Sequence, residues 1–206
     1  MTKNSNKVLT YLFLIMMSII FAFPFYFLIV SATNTSVDVT SGRMLPGLAI
    51  LDNWKALAER TDLLNAFKNS TIVAFGQTTL ALLIGSMAGY GFEIYRTKTT
   101  DFIFNFLLTS MMIPFAAIII PLFQLFGVFS SVTPSIGINS YVSAFLPYIS
   151  TAFLIFFFRQ NTKMFSRELL EAGRIDGLSE FGLFLRIYMP TMKNSFAAAA
   201  IITFMN

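Results

Sequence analysis

The chain has 206 residues, 56% of them apolar, 16% aromatic and only 12% charged, with a net charge of +4. A soluble domain carries roughly 25% charged residues, so this composition excludes an ordinary soluble globule and points to an all-α polytopic membrane protein. The absence of Cys and His excludes disulfides and removes the usual transition-metal ligands and the commonest nucleophiles and bases; no metal, cofactor or catalytic residue is expected. The positive charges sit in loops between apolar runs, as topology signals do, so no nucleic-acid partner is expected.

In chain order, Lys3 and Lys7 precede an uncharged run over 8–30, long enough for a retained membrane helix and too long for the core of a signal peptide. Pro24 is expected to kink it. A polar stretch follows, in which Asn53-Trp54-Lys55-Ala56-Leu57-Ala58-Glu59 begins a short amphipathic helix with Trp54 at the interface. The second span covers 69–92, and its Ala81, Gly85 and Gly89 fall on one face, a small-residue stripe that favours close helix packing. Glu93, Arg96, Lys98 and Asp101 make a charged turn. From 102 to 158 there is no charge, and the polar break around Ser130 to Ser140 divides this stretch into spans at 102–129 and 141–158. Gln77, Asn105 and Gln124 are polar side chains within spans, read as makers of helix–helix hydrogen bonds rather than sugar contacts. A hydrophilic loop over 159–193 follows, and then an apolar run over 196–206 that is too short to cross ~30 Å of hydrocarbon. The whole of 1–206 reads as one transmembrane domain with an incomplete fifth span.

With the N-terminus in the cytoplasm, ten Lys and Arg lie on the inner side and four on the outer, a distribution that supports a multi-pass protein of the plasma membrane with the 159–193 loop inside. In that loop, 167–176 reads as a short helix with Arg167/Glu171 and Glu171/Arg174 pairs at helical spacing. Gly177 supplies its left-handed stop, and Ser179 caps a second helix carrying Phe181, Phe184, Leu185, Tyr188 and Met189, which Pro190 breaks. From patterning alone, this is either an interfacial helix-turn-helix or a surface on which another protein docks.

The spacing of the loop residues resembles the coupling motif of ABC importer permeases: Glu171-Ala172-Gly173, three residues, Gly177, nine residues, then Ile187-Tyr188-Met189-Pro190. The string RELLEAGRIDGLSEFGLFLRIYMP, together with MMIPFAAIIIPLF and AGYGFEIYR, is similar to the carbohydrate-uptake branch, in particular to the maltose-transporter G-type permease subunit. Gly173 replaces the usual second alanine, Met189 the usual leucine, Ser166 a common proline and Asn194 another. The resemblance implies a non-enzymatic transport subunit with a six-helix fold, of which this chain carries five helices, the fifth incomplete, and a cytoplasmic coupling helix. It implies a second, F-type permease, two ATP-binding cassette ATPase subunits, an extracytoplasmic solute-binding protein and a sugar substrate, in a bacterial or archaeal plasma membrane. It assigns the ATPase-coupling loop to Glu171, Ala172, Gly173, Asp176, Gly177, Ile187 and Pro190, with Glu171 as the charged contact to an Arg of the ATPase. Without the missing helices, the chain alone is not expected to transport.

Three other readings compete. An ABC permease for a non-sugar solute shares the loop but not the flanking strings. An ion-coupled transporter needs an intramembrane charge, which the complete spans lack. A membrane enzyme has only Glu168, Glu171, Asp176 and Glu180 to draw on, all in the loop and all explained by solvation or helix support.

Overall fold

The computed structural model describes residues 2–205, with the side chains of residues 2–6 and Pro134 outside the description. Lys3 and Asn206, which enter the topology count and the last span, therefore lie outside the residues whose side chains are described. All regular secondary structure among the described residues is helical, and the chain divides into two compact units, Met1–Phe67 and Lys68–Asn206.

The first unit is built on α1 (Thr2–Thr33), which runs without interruption through Pro24. The polar chain after it folds back on its end. Asn34 Nδ2 donates to the carbonyls of Val30 and Leu45 at 3.0 and 2.9 Å, and Asn53 Nδ2 donates to those of Ala32 and Asn34, both at 2.9 Å. The bonds to Val30 and Ala32 satisfy carbonyls that the helix end leaves open, and those to Asn34 and Leu45 pin the following chain. A short α2 (Ser36–Thr40) is capped by the Thr35 side chain, and α3 (Ile50–Arg60) is the amphipathic helix expected around Trp54, whose ring lies exposed.

The second unit is organised on α4 (Leu63–Ile94), which begins in the last residues of the first. α5 (Lys98–Thr109) starts at a reciprocal cap: Thr97 Oγ1 accepts from the Thr100 amide at 3.1 Å, and Thr100 Oγ1 accepts from the Thr97 amide at 2.7 Å. The stretch expected as one span over 102–129 is two helices, α5 and α6 (Phe115–Val132). Pro114 explains the division: it offers no N–H, and it pushes Ile113 into extended conformation (φ −81°, ψ 115°), so a helix cannot pass through. The 141–158 stretch is also broken, into α7 (Tyr141–Phe145) with a 3-10 turn containing Pro147, and α8 (Ala152–Thr162), bent by 47°.

Long, apolar helices able to cross a membrane are found at Lys7–Thr33, Leu63–Ile94 and Phe115–Val132, with the bent pair as a fourth, broken span. α12 (Lys193–Phe204), over the stretch expected as the fifth span, has 12 residues and covers about 18 Å.

The small-residue stripe does pack. Ala81 is fully buried with Leu154 and Phe158 of α8 and Ala199 of α12. At Gly89 the helices are so close that a Cβ would lie 2.6 Å from Phe158 Cβ and 2.7 Å from the Arg159 backbone nitrogen. Among the described residues, no helix–helix bond from Gln77, Asn105 or Gln124 is found; Gln77 is buried, and Asn105 and Gln124 lie exposed. Interhelical bonds are made instead by other side chains, among them Tyr141 Oη to Asn69 Oδ1 at 2.6 Å and Ser195 Oγ to Asn161 Oδ1 at 3.0 Å.

Candidate functional site: the 159–193 loop

α9 (Arg167–Ile175) is the helix expected from the charge spacing, and its end forms a complete Schellman cap. The Leu178 amide donates to the Gly173 carbonyl at 3.0 Å and the Gly177 amide to that of Arg174 at 3.1 Å, with Gly177 at φ +82°. A side chain at Gly177 would strain this left-handed turn. Ser179 then caps α10 (Glu180–Leu183) by accepting from the Gly182 amide at 3.2 Å.

Beyond α10 the structure departs from the expected break at Pro190. The helix widens into a π-turn over Phe184–Tyr188, in which the Met189 amide reaches back to the Phe184 carbonyl, and Pro190 sits inside the short α11 (Met189–Thr191). A proline ring clashes with the carbonyl four residues earlier and cannot donate to it. The i→i−5 register of the π-turn moves that carbonyl away, so the chain stays helical past Pro190. The break falls at Met192 instead (φ −91°, ψ 17°), and α12 begins after it.

One side of α9 is packed and the other is bare. Leu170 is 1% exposed and clusters with Leu183, Phe184, Tyr188, Phe165 and Tyr90. Gly173 is buried where a Cβ would lie 2.5 Å from the Cδ atoms of both Ile187 and Leu183. Glycine in place of the motif's usual alanine thus lets α9 settle on the π-turn, at a helix-propensity cost of up to about 1 kcal/mol. Tyr188 is fully buried, its ring 4.8 Å from that of Tyr90 and its hydroxyl 2.6 Å from Thr162 Oγ1; burial raises its pKa. Glu168, Glu171, Ala172 and Ile175, at i, i+3, i+4 and i+7, form the opposite, exposed face, with Ile175 87% exposed.

The expected Glu171 pairs do not form, because both arginines are engaged elsewhere. Arg167 donates to the Glu93 carbonyl at 3.4 Å, and Arg174 pairs with Glu180 through Nε at 2.8 Å and through a terminal nitrogen at 3.2 Å. Among the described residues, no ion pair reaches Glu171. Asp176 caps the end of α9 and is exposed, Ile187 is half-buried and Pro190 exposed.

Two polar ties hold the loop to the end of α4, and the sequence reading used neither. The Tyr95 hydroxyl donates to Glu180, which also accepts from Arg174. Arg174 and then Tyr95 hold the Glu180 carboxyl below the usual carboxylate range, and the Arg174 pKa is raised in turn by Glu180. At α8, Arg159 Nε donates to Glu93 Oε2 at 3.2 Å, its guanidinium also binds Asp101, and it stacks 4.0 Å from the centre of the Phe104 ring. Asp101 accepts as well from Arg96 Nε at 2.9 Å, and these two arginines, Arg159 first, lower its pKa. One signal did point here: Glu93 continues the Ala81, Gly85, Gly89 spacing by one more step of four.

Residues 81–206 match the family described as "Binding-protein-dependent transport system inner membrane component". Over 184 residues the chain is 40% identical to the lactose transport system permease protein LacG of Rhizobium radiobacter, covering 89% of this chain and 65% of that protein. It is 34% identical over 203 residues to the arabinooligosaccharides transport system permease protein AraQ of Bacillus subtilis, with 95% and 69% covered. To the sn-glycerol-3-phosphate transport system permease protein UgpE of Salmonella typhi it is 28% identical over 210 residues, with 98% and 73% covered. The chain thus spans 65% of the length of the first of these relatives and about two thirds to three quarters of the others. These relatives are transport permeases rather than enzymes, and several helices here are long enough for a multi-pass inner-membrane protein. The chain belongs to the family of inner-membrane components of binding-protein-dependent transport systems.

Proposed function

We propose that this chain is a permease subunit of an ATP-driven importer for a sugar or oligosaccharide, contributing half of the translocation pathway. The observation that carries the reading is the two-sided α9: Leu170 and Gly173 packed inward, and Glu171, Ala172 and Ile175 exposed with the acidic group unpaired. A short, rigid helix with an acidic and apolar outer face suits a groove on an ATPase subunit. Glu171 would meet a basic side chain there, and Gly177 and Asp176 fix the turn behind it. Ile187 and Pro190 join the helix to α12.

In this reading the N-terminus and the loop are cytoplasmic, two ATPase subunits bind below, a second permease completes the pathway, and a solute-binding protein delivers sugar from outside. The 40% identity to a lactose permease favours a glycoside over a phosphorylated polyol, for which the relative is 28% identical. Deleting the gene in its host is expected to abolish ATP-dependent uptake of at least one labelled di- or oligosaccharide, and restoring the gene to return it. Unchanged uptake of every glycoside tested, with loss of glycerol-3-phosphate or another solute instead, would overturn the sugar assignment.

A further inference from the structure

The C-terminal end of α4 carries a buried charge cluster that no family motif assigns. Arg159 and Glu93 have side chains only 5% and 8% exposed, in a unit that otherwise excludes charge from its interior. A buried ion is costly unless paired and hydrogen-bonded, and here both requirements are met by different helices. Arg159 belongs to α8, Glu93 to α4 and Asp101 to α5, so one guanidinium joins three elements. Glu93 also receives Arg167, the first residue of α9, at its carbonyl, a weaker contact because Arg167 is largely exposed. Just beyond, Tyr95 holds Glu180 and Tyr90 packs on Phe184 and Tyr188. One turn before Glu93, Gly89 lets α4 touch the α8 backbone.

We propose that Arg159 is the positioning residue of the loop: through Glu93 and Asp101 it makes α4, α5 and α8 move as one body, and α9 rides on that body through Arg167 at the Glu93 carbonyl and Leu170 against Tyr90. A push on the outer face of α9 is therefore carried into α4. The consequence for transport rests on the function proposed above; the positional claim does not.

The test uses spin labels, placed without background because the chain has no Cys. Met87→Cys on α4 and Leu169→Cys on α9 are exposed and lie outside both the cluster and the docking face. They are read in the chain assembled with its partner subunits in lipid. The parent is expected to give one narrow distance peak. Glu93→Gln, which keeps the shape and removes the charge, is expected to broaden it, since one partner of a buried pair has been removed. Glu93→Met/Arg159→Met relieves the unpaired charge and is expected to recover protein yield while the peak stays broad. A narrow, parental peak in both Glu93→Gln and the double variant overturns the proposal, whatever the uptake. Sugar uptake that survives deletion of the gene in its host would overturn the importer reading instead, with the width of the peak still deciding the positional claim.

Discussion

Glu171→Ala is expected to weaken capture of the ATPase subunit by more than tenfold while leaving the amount of permease in the membrane unchanged. The residue lies on the exposed face of α9, and the two arginines that could have paired with it are bound to Glu93 and Glu180. Its removal therefore costs the isolated permease almost nothing, since even a formed surface pair is worth only ~0.3–0.5 kcal/mol. In a complex the same carboxylate is desolvated against a basic partner, and deleting it leaves that partner unpaired, a loss of ~2–5 kcal/mol. Co-purification of the ATPase subunit and the ratio of ATP hydrolysis to uptake measure the difference. Normal capture together with normal coupling would leave Glu171 without a role at the interface.

Gly89→Leu is expected to be the most disruptive substitution in the second unit. A Cβ at this position meets Phe158 Cβ at 2.6 Å, the Arg159 nitrogen at 2.7 Å and the Ile155 carbonyl at 3.0 Å, and two of these three are backbone atoms that cannot rotate away. Overpacking of a tight core costs ~1–3 kcal/mol where side chains can adjust, and more where backbone must move. Separating α4 from α8 also opens the Arg159–Glu93 pair one turn below. Gly91→Ala is the control: nothing lies within 4 Å of its Cβ position, and replacing a helical glycine contributes up to about 1 kcal/mol of helix stability. Thermal unfolding in detergent is expected to show a large loss for Gly89→Leu and no loss for Gly91→Ala. Equal behaviour of the two would contradict the tight seam.

Much of this was legible in the sequence, and the gaps have physical causes. The span of α4, its small-residue stripe, the short α9 and its glycine stop all follow from periodicity and from residues with narrow conformational preferences. The breaks at Pro114 and Pro147 went unread because an uninterrupted apolar run masks them: hydropathy reports what lipid tolerates, not where the backbone turns. At Pro190 the opposite happened, since the proline implied a break and the π-turn absorbed it. The partners of Arg167 and Arg174 were misassigned because helical spacing shows only neighbours within α9, whereas Glu93 is 74 residues away from Arg167 along the chain. Arg159 looked like a topology signal, and Glu93 and Asp101 like parts of a charged turn, for the same reason. Apart from the step of four that carries the small-residue stripe on to Glu93, nothing local distinguishes a solvated charge at a span end from one that ties three helices together.

The central claim, that the outer face of α9 is the surface an ATPase subunit holds, can be tested by site-directed crosslinking in this cysteine-free chain. Single cysteines are placed at Ala172 and Ile175 on the exposed face and at Leu170 and Gly173 on the packed face, and the assembled complex is treated with a short bifunctional reagent. Crosslinks to the ATPase subunit are expected from Ala172→Cys and Ile175→Cys and not from Leu170→Cys or Gly173→Cys. Crosslinks from none of the four positions, or equally from both faces, would contradict it.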